Sequence, residues 1–245
     1  MLLLATIGLV VALYGGIYGG SAKSPGASDT PGTPGAEQKA GTPSEGDYRY
    51  EVATGDSEAL YRVREELVNV PLPVDAVGRT RQVEGTVVFD EDGQVVPELS
   101  AVRVNLAALE SDQSRRDNFL RQNTLQTAQY PEAVLVPVEV RGLEFPLPEQ
   151  GSAPVTIVGD MTIRDVTRRV EWTGTARFEP GGMRIEAGTA FTFADFKLDQ
   201  PRVPILLSVD DMIRLEANVR LTSAGGPNPP DAAEENGQSA AGGAQ

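Results

Sequence analysis

The sequence predicts an all-β fold, an eight-stranded antiparallel barrel with a short helix and loop insertion, preceded by an apolar N-terminal helix. Three observations predict it. Apolar residues recur at every second position in eight successive segments, the period of strands with one dry face. The links between most of these segments are short, which suits antiparallel neighbours. One stretch alone departs from the two-residue period, and it is polar with isolated large apolar residues.

Residues 1–20 carry no charged side chain and begin with Leu2, Leu3 and Leu4, followed by the run Ile7 to Leu13. Such a segment belongs in a bilayer or a translocon; twenty helical residues at about 1.5 Å each cross the hydrocarbon layer. It is expected to be a transmembrane anchor or a signal peptide cleaved near Ser21 and Ala22, with a buried core helix as a third reading. Gly15, Gly16, Gly19 and Gly20 weaken its second half as a helix. Residues 21–46 are Ser, Pro, Gly, Thr and Ala with few large apolar groups, too little to offset ordering entropy, and read as a disordered stalk. Residues 224–245 repeat that chemistry as a disordered tail. The folded domain is therefore expected over residues 47–223.

Within it the strands follow in order. The first, Leu60 to Val68, alternates least well, setting Tyr61 and Val63 against Arg62 and Arg64. The second places Val83, Gly85, Val87 and Phe89 on one face; Asp92-Gly93 then signals a turn before Val102, Val104 and Leu106 form the third. The fourth is expected to point Val134, Val136, Val138 and Val140 inward, with Pro137 outward or at an edge. The fifth carries Val155, Ile157, Gly159, Met161 and Ile163. The sixth alternates Val170, Trp172, Gly174, Ala176 and Phe178 with charged and Thr residues. The seventh has Ile185, Ala187, Thr189, Phe191 and Phe193 inward, and the eighth Ile213, Leu215, Ala217, Val219 and Leu221. An eight-stranded barrel is either filled by side chains or holds one small ligand. A two-sheet sandwich is the alternative architecture. Outward Arg and Glu residues suit water rather than lipid.

Between Leu109 and Tyr130 lies the exception, SDQSRRDNFLRQNTLQTAQY. It reads as a short helix and loop capped by Ser111 or Asp112, with Phe119, Leu120 and Leu125 facing inward. The helix either plugs a barrel end as core or covers a ligand.

Composition removes several function classes. A formal charge of −14 disfavours nucleic acid and anionic membrane surfaces, since phosphate affinity comes from Lys and Arg. The chain contains no Cys and no His, so thiolate catalysis, disulfides, imidazole bases and soft metal sites are absent. No GxSxG elbow, phosphate loop or paired acid–base motif is present. Asp90, Glu91, Asp92 and Gly93 lack the further spaced ligands of a calcium loop and read as a turn. Lys197, after Asp195 and Phe196, reads as a solvated turn residue rather than a desolvated base. No catalytic residue, metal or cofactor is expected.

The segments ESDQSRRDNFLRQNTLQTAQYPEA, VGDMTIRDVTRRVEW and FTFADFKLDQPRVPILLSVDDMIRLE, in that order and spacing, resemble the YceI-like family. The resemblance covers most of Tyr50 to Thr222. It implies a lipocalin-like eight-stranded barrel, usually exported, with an apolar cavity that binds isoprenoid or fatty-acyl molecules in some members. This sequence departs from the family in having Arg164 and Asp165 where a Gly commonly precedes Val166, and Lys197 where Gly is common. Both turns favour φ > 0, which Gly adopts without cost.

The function expected is non-catalytic binding or carriage of an elongated apolar ligand outside the cytoplasmic membrane, with the N-terminal segment meeting the membrane. The alternative is a fully packed structural or interaction module on a tethered stalk. Candidate ligand-contacting residues are Val104, Val136, Val138, Ile157, Met161, Trp172, Phe191 and Phe193 in the barrel and Phe119 and Leu120 in the lid. Arg115, Arg116 and Arg121 could pair with an anionic head group, or simply with the adjacent Asp112 and Asp117.

Overall fold

The computed structural model describes residues 44, 46–68, 70–202 and 206–226. The expected anchor or signal, and the stalk and tail apart from residues 44, 46 and 224–226, lie outside the described residues. Among the described residues no helix is long and apolar enough to cross a membrane.

Eleven strand segments form one sheet: β1 (Tyr48–Val52), β2 (Glu58–Leu67), β3 (Val74–Thr80), β4 (Val83–Phe89), β5 (Ala101–Asn105), β6 (Glu110–Ser111), β7 (Glu132–Arg141), β8 (Gly151–Ile163), β9 (Val166–Glu179), β10 (Gly182–Thr192) and β11 (Leu206–Gly225). The helix α1 (Ser114–Phe119) sits between β6 and β7 and runs on into a wider turn, Leu120–Thr124. β1 and β2 lie along the same edge of β11, β4 and β3 lie along β1 and β2, and β5 and β6 lie along β4 and β3. Each pair is one strand line with a local break, so the eleven segments make eight antiparallel lines. Pairing of β1 with both β4 and β11 closes the sheet into a barrel. Closure leaves no long unpaired edge.

The breaks are hydrogen-bonded rather than frayed. Between β1 and β2, the Ser57 hydroxyl donates to the Ala53 carbonyl and accepts from the Arg220 amide. Between β5 and β6, the Asn105 side chain accepts from Ala107 N and starts the tight turn Leu106–Ala108. Outward side chains form cross-strand ion pairs, among them Arg169 with its directly opposed Asp160 at 2.6 Å. A lipid-facing barrel wall would not carry such pairs.

Two apolar clusters fill the ends. At the lower end Tyr50, Val52, Phe89, Phe178 and Met183 pack together, and the β7–β8 loop lays Leu143, Phe145 and Leu147 against them. At the upper end Met161, Ile163, Trp172, Phe191, Phe193 and Phe196 do the same.

All eight expected segments are present, most of them shorter in the sequence reading than in the structure. The first line begins at Tyr48 rather than Leu60, the second at Val74 rather than Val83, and β11 continues to Gly225, beyond the expected boundary at Ser223. β7 corrects the expected facing. Ala133, Leu135 and Pro137 stand opposite the inward Ile163, Met161 and Gly159; a bulge between Pro137 and Glu139 then restores Val140 opposite Ile157. Pro137 is buried, and the bulge absorbs its missing ladder donor. The helix cap is also corrected: α1 begins from Gln113 with no side-chain cap, because the Ser111 hydroxyl is bonded to Asp117 instead.

Candidate functional site

A cavity of about 230 Å³ lies along the barrel between the two clusters. Its floor is Phe89, 2% exposed, with Val87 and Leu221 beside it. Beneath the floor the Phe145 ring packs at a tilt against Phe89 at 4.7 Å and against Tyr48 at 5.0 Å, so aromatic packing seals this end. Its roof is the segment between β5 and β7, which contributes Leu106, Leu109, Leu120, Thr124 and Leu125.

The lumen is open because of what the register aligns. Gly174 of β9 pairs with Ala187 of β10, Ala187 with Ala217 of β11, and Ala217 with Ala59 of β2. Four strands thus present a belt of small side chains at one level. A Cβ on Gly174 would meet the Ala187 Cα at 2.6 Å, so the belt is also tightly drawn together. Inward residues next to it, such as Val104, Ile157, Leu215 and Val219, are only half-buried although they face the interior. Their remaining surface is the cavity wall.

The roof is held by polar contacts. Arg116 of α1 reaches Glu65 of β2 at 2.6 Å, with side chains 16% and 10% exposed, and also engages Asp112. Asp117 is buried and accepts from the Ser111 amide at 3.0 Å and hydroxyl at 2.6 Å. Arg121 donates to the Leu109 and Ala107 carbonyls at 2.9 and 3.4 Å. From the β8–β9 turn, Arg164 donates to the Thr124 carbonyl at 3.4 Å and lies 5.8 Å from the Tyr130 ring. Arg164 and Lys197 adopt φ of 57° and 51°, the left-handed conformation expected at those two turns.

Two buried polar groups without a protein partner belong to wall residues, the Trp172 indole N–H and the Tyr61 hydroxyl, and Tyr61 is the one set beside charged side chains. Tyr61 pairs with Gly78 of β3, and Gly78 pairs in turn with Ser111 of β6. A Cβ at Gly78 would meet the Tyr61 ring at 2.3 Å; only Gly lets the phenol lie flat against the wall toward Ser111. The Tyr61 hydroxyl is buried and has no hydrogen-bond partner in the protein. Burial raises its pKa above the ordinary phenol range; Arg116 opposes that rise, and Asp117, Glu65 and Asp112 add to it.

Of the residues singled out from sequence, Val104, Ile157, Met161, Trp172, Phe191 and Phe193 lie on the cavity wall, and Leu120 lies in the roof. Phe119 is half-buried but off the wall. Val136 shares the outer face with Asp160, and Val138 sits in the β7 bulge; the wall positions there are Leu135, Pro137 and Val140. Arg116 and Arg121 are engaged by protein carboxylates and carbonyls, and Arg115 also interacts within the protein. The sequence sets Tyr61 opposite Arg62 and Gly174, Ala187 and Ala217 inward, but the belt and the Tyr61–Gly78 contact escape sequence reasoning, since both exist only through cross-strand register. Among the described residues no group of three His, Cys, Asp or Glu side chains could hold a metal ion.

The family model for the YceI-like domain matches residues 50–221. The chain belongs to the YceI-like family. It is 27% identical over 146 residues to Protein YceI of Escherichia coli O157:H7, covering 57% of this chain and 72% of that protein, and equally so to Protein YceI of Shigella sonnei. Two solved structures share the fold. One is a polyisoprenoid binding domain from Saccharophagus degradans implicated in plant cell wall breakdown, with a TM-score of 0.54 at 11% identity, covering 71% of this chain and 98% of that one. The other is Burkholderia cenocepacia BcnA, with a TM-score of 0.52 at 13% identity, covering 69% and 98%. The closed eight-line antiparallel barrel is thus a shared fold, on which this sequence places its own wall and roof.

Proposed function

We propose that this barrel binds and carries an elongated apolar ligand of isoprenoid or fatty-acyl type in its lumen, without catalysing a reaction on it. The observation that carries the reading is the wall: Val, Leu, Ile, Phe and Ala side chains run from Phe89 at the floor to Leu125 at the roof around a belt of Gly and Ala. Apolar burial is sufficient to drive such binding. Each methylene contributes roughly 0.8 kcal/mol, so about ten supply roughly 8 kcal/mol before association costs, near the −8.2 kcal/mol of micromolar affinity. The polyisoprenoid-binding domain of the same fold supports the ligand class. The apolar segment 1–20 and the Pro/Gly/Ser-rich stalk support display outside the cytoplasmic membrane, anchored or secreted.

Mass spectrometry of solvent extracts from the purified protein is expected to find a copurifying lipid. Titration of the delipidated protein with isoprenoid and fatty-acyl chains of graded length is expected to show affinity rising with length. Trp172, the single Trp of the chain and a wall residue, gives the signal directly. Absence of lipid together with length-independent binding would favour a packed structural module.

A further inference from the structure

We propose that the roof end of the lumen selects a neutral chain ending in one hydrogen-bonding oxygen, such as an alcohol or amide, and rejects carboxylate and phosphate ends, with Tyr61 as the residue that recognises the oxygen. This rests on the lumen being the ligand site. Among the described residues two wall side chains carry a buried polar atom without a partner, the Trp172 indole N–H and the Tyr61 hydroxyl, and only the Tyr61 hydroxyl, which can both donate and accept, lies among Arg116, Asp117 and Glu65. A buried hydroxyl left without a partner costs free energy comparable to a lost hydrogen bond, and a ligand oxygen is the group that relieves it.

The charges around that hydroxyl decide which end group it can receive. Glu65 lies on the inward face of β2, in the same alternation as Tyr61 and Val63, and Asp117 is the buried residue of α1. With Asp112 they set three carboxylates and one guanidinium, that of Arg116, around the Tyr61 hydroxyl. Arg116 is already bonded to two of those carboxylates, so it has little to offer an incoming anion. A carboxylate or phosphate brought here would lose its hydration and meet like charge. A hydroxyl or amide loses far less and gains the Tyr61 hydrogen bond. Gly78 completes the arrangement, because its missing side chain keeps the phenol flat on the wall beside Ser111 and leaves the lumen clear for the chain.

The test compares four saturated chains of equal length at pH 7, an alkane, an alcohol, a carboxylic acid and an alkyl phosphate, titrated into the delipidated full-length protein by Trp172 fluorescence. The alcohol is expected to bind about fivefold tighter than the alkane, the worth of one net hydrogen bond, and the acid and phosphate at least about tenfold weaker than the alcohol. Tyr61→Phe is expected to abolish the preference of alcohol over alkane while leaving alkane affinity unchanged, a split that loss of folding would not produce. Equal binding of all four chains, or a preference that survives Tyr61→Phe, overturns the assignment and leaves the lumen as ligand site intact. Tighter binding of the acid or phosphate also overturns it and moves end-group recognition to Arg164. Failure of every chain to bind overturns both readings.

Discussion

Both ends of the barrel hold an apolar cluster, but the segments laid over them are fastened by different chemistry. At the floor, Phe89 is clamped between the interior and the Phe145 loop by tilted ring packing, and Tyr50 meets the same ring edge-on at 6.1 Å. At the roof, the segment from Leu106 to Leu125 lays a few Leu side chains over the lumen and is fastened by Arg116 to Glu65, Asp117 to Ser111, Arg121 to two carbonyls and Arg164 to Thr124. Apolar packing comes apart only with the fold, because its stabilisation is spread over many contacts that form together. A few directional polar bonds can be exchanged for bonds to water without unfolding the sheet. Under the proposed function, the difference makes the floor the structural end and the roof the end through which a ligand enters.

Breaking the floor is expected to have the largest effect. Phe89→Ala removes a side chain 2% exposed and should cost about 3–5 kcal/mol of global stability, measured by denaturant unfolding. Breaking the roof should cost less and act locally. Glu65→Gln leaves Arg116 with a neutral partner and is expected to cost about 2 kcal/mol. Hydrogen exchange should then rise at α1 and Leu120–Thr124 and stay unchanged at Val87 to Phe89. Uniform loss of protection at both ends would show that roof and floor open as one unit. The smallest effect concerns the turn beside the roof. Lys197 caps the short turn Phe193–Phe196 at φ 51°, so Lys197→Gly is expected to raise stability by about 1 kcal/mol, visible as a higher Tm.

The same contrast separates what was legible in the sequence from what was not. β8 to β11 alternate apolar and polar residues cleanly, and their wall positions, Ile157, Met161, Trp172 and Phe191, follow from period alone. β7 reads AVLVPV from Ala133 to Val138, apolar on both faces, so no alternation marks which side is inward. A bulge adds one residue without any compositional sign, so Val136, expected inward, lies on the outer face and Val138 lies in the bulge. β3 buries Ala76, Gly78 and Thr80, residues too small or too polar to mark an apolar period, and β1 is a five-residue piece cut off from β2 by the break at Ser57. The roof was recognisable as a departure from strand pattern, but its fastening was not: Glu65 is a charge on an inward position, and its partner lies fifty-one residues away. Tyr61 over Gly78 and the Gly174, Ala187, Ala217, Ala59 belt are facts of register, which the order of residues along one strand does not contain.

The claim that a chain-shaped ligand occupies the lumen is tested most directly at that belt. Ala187 faces the cavity between Gly174 and Ala217, where a larger side chain enters open space rather than packed core. Ala187→Phe, titrated with the chain-length series by Trp172 fluorescence, is expected to keep its Tm and to weaken the longest chains on the order of a hundredfold. That loss corresponds to displacing about three to four methylenes at roughly 0.8 kcal/mol each. Unchanged affinity for the longest chains in a folded Ala187→Phe protein would contradict the account, because it would place the ligand outside the barrel.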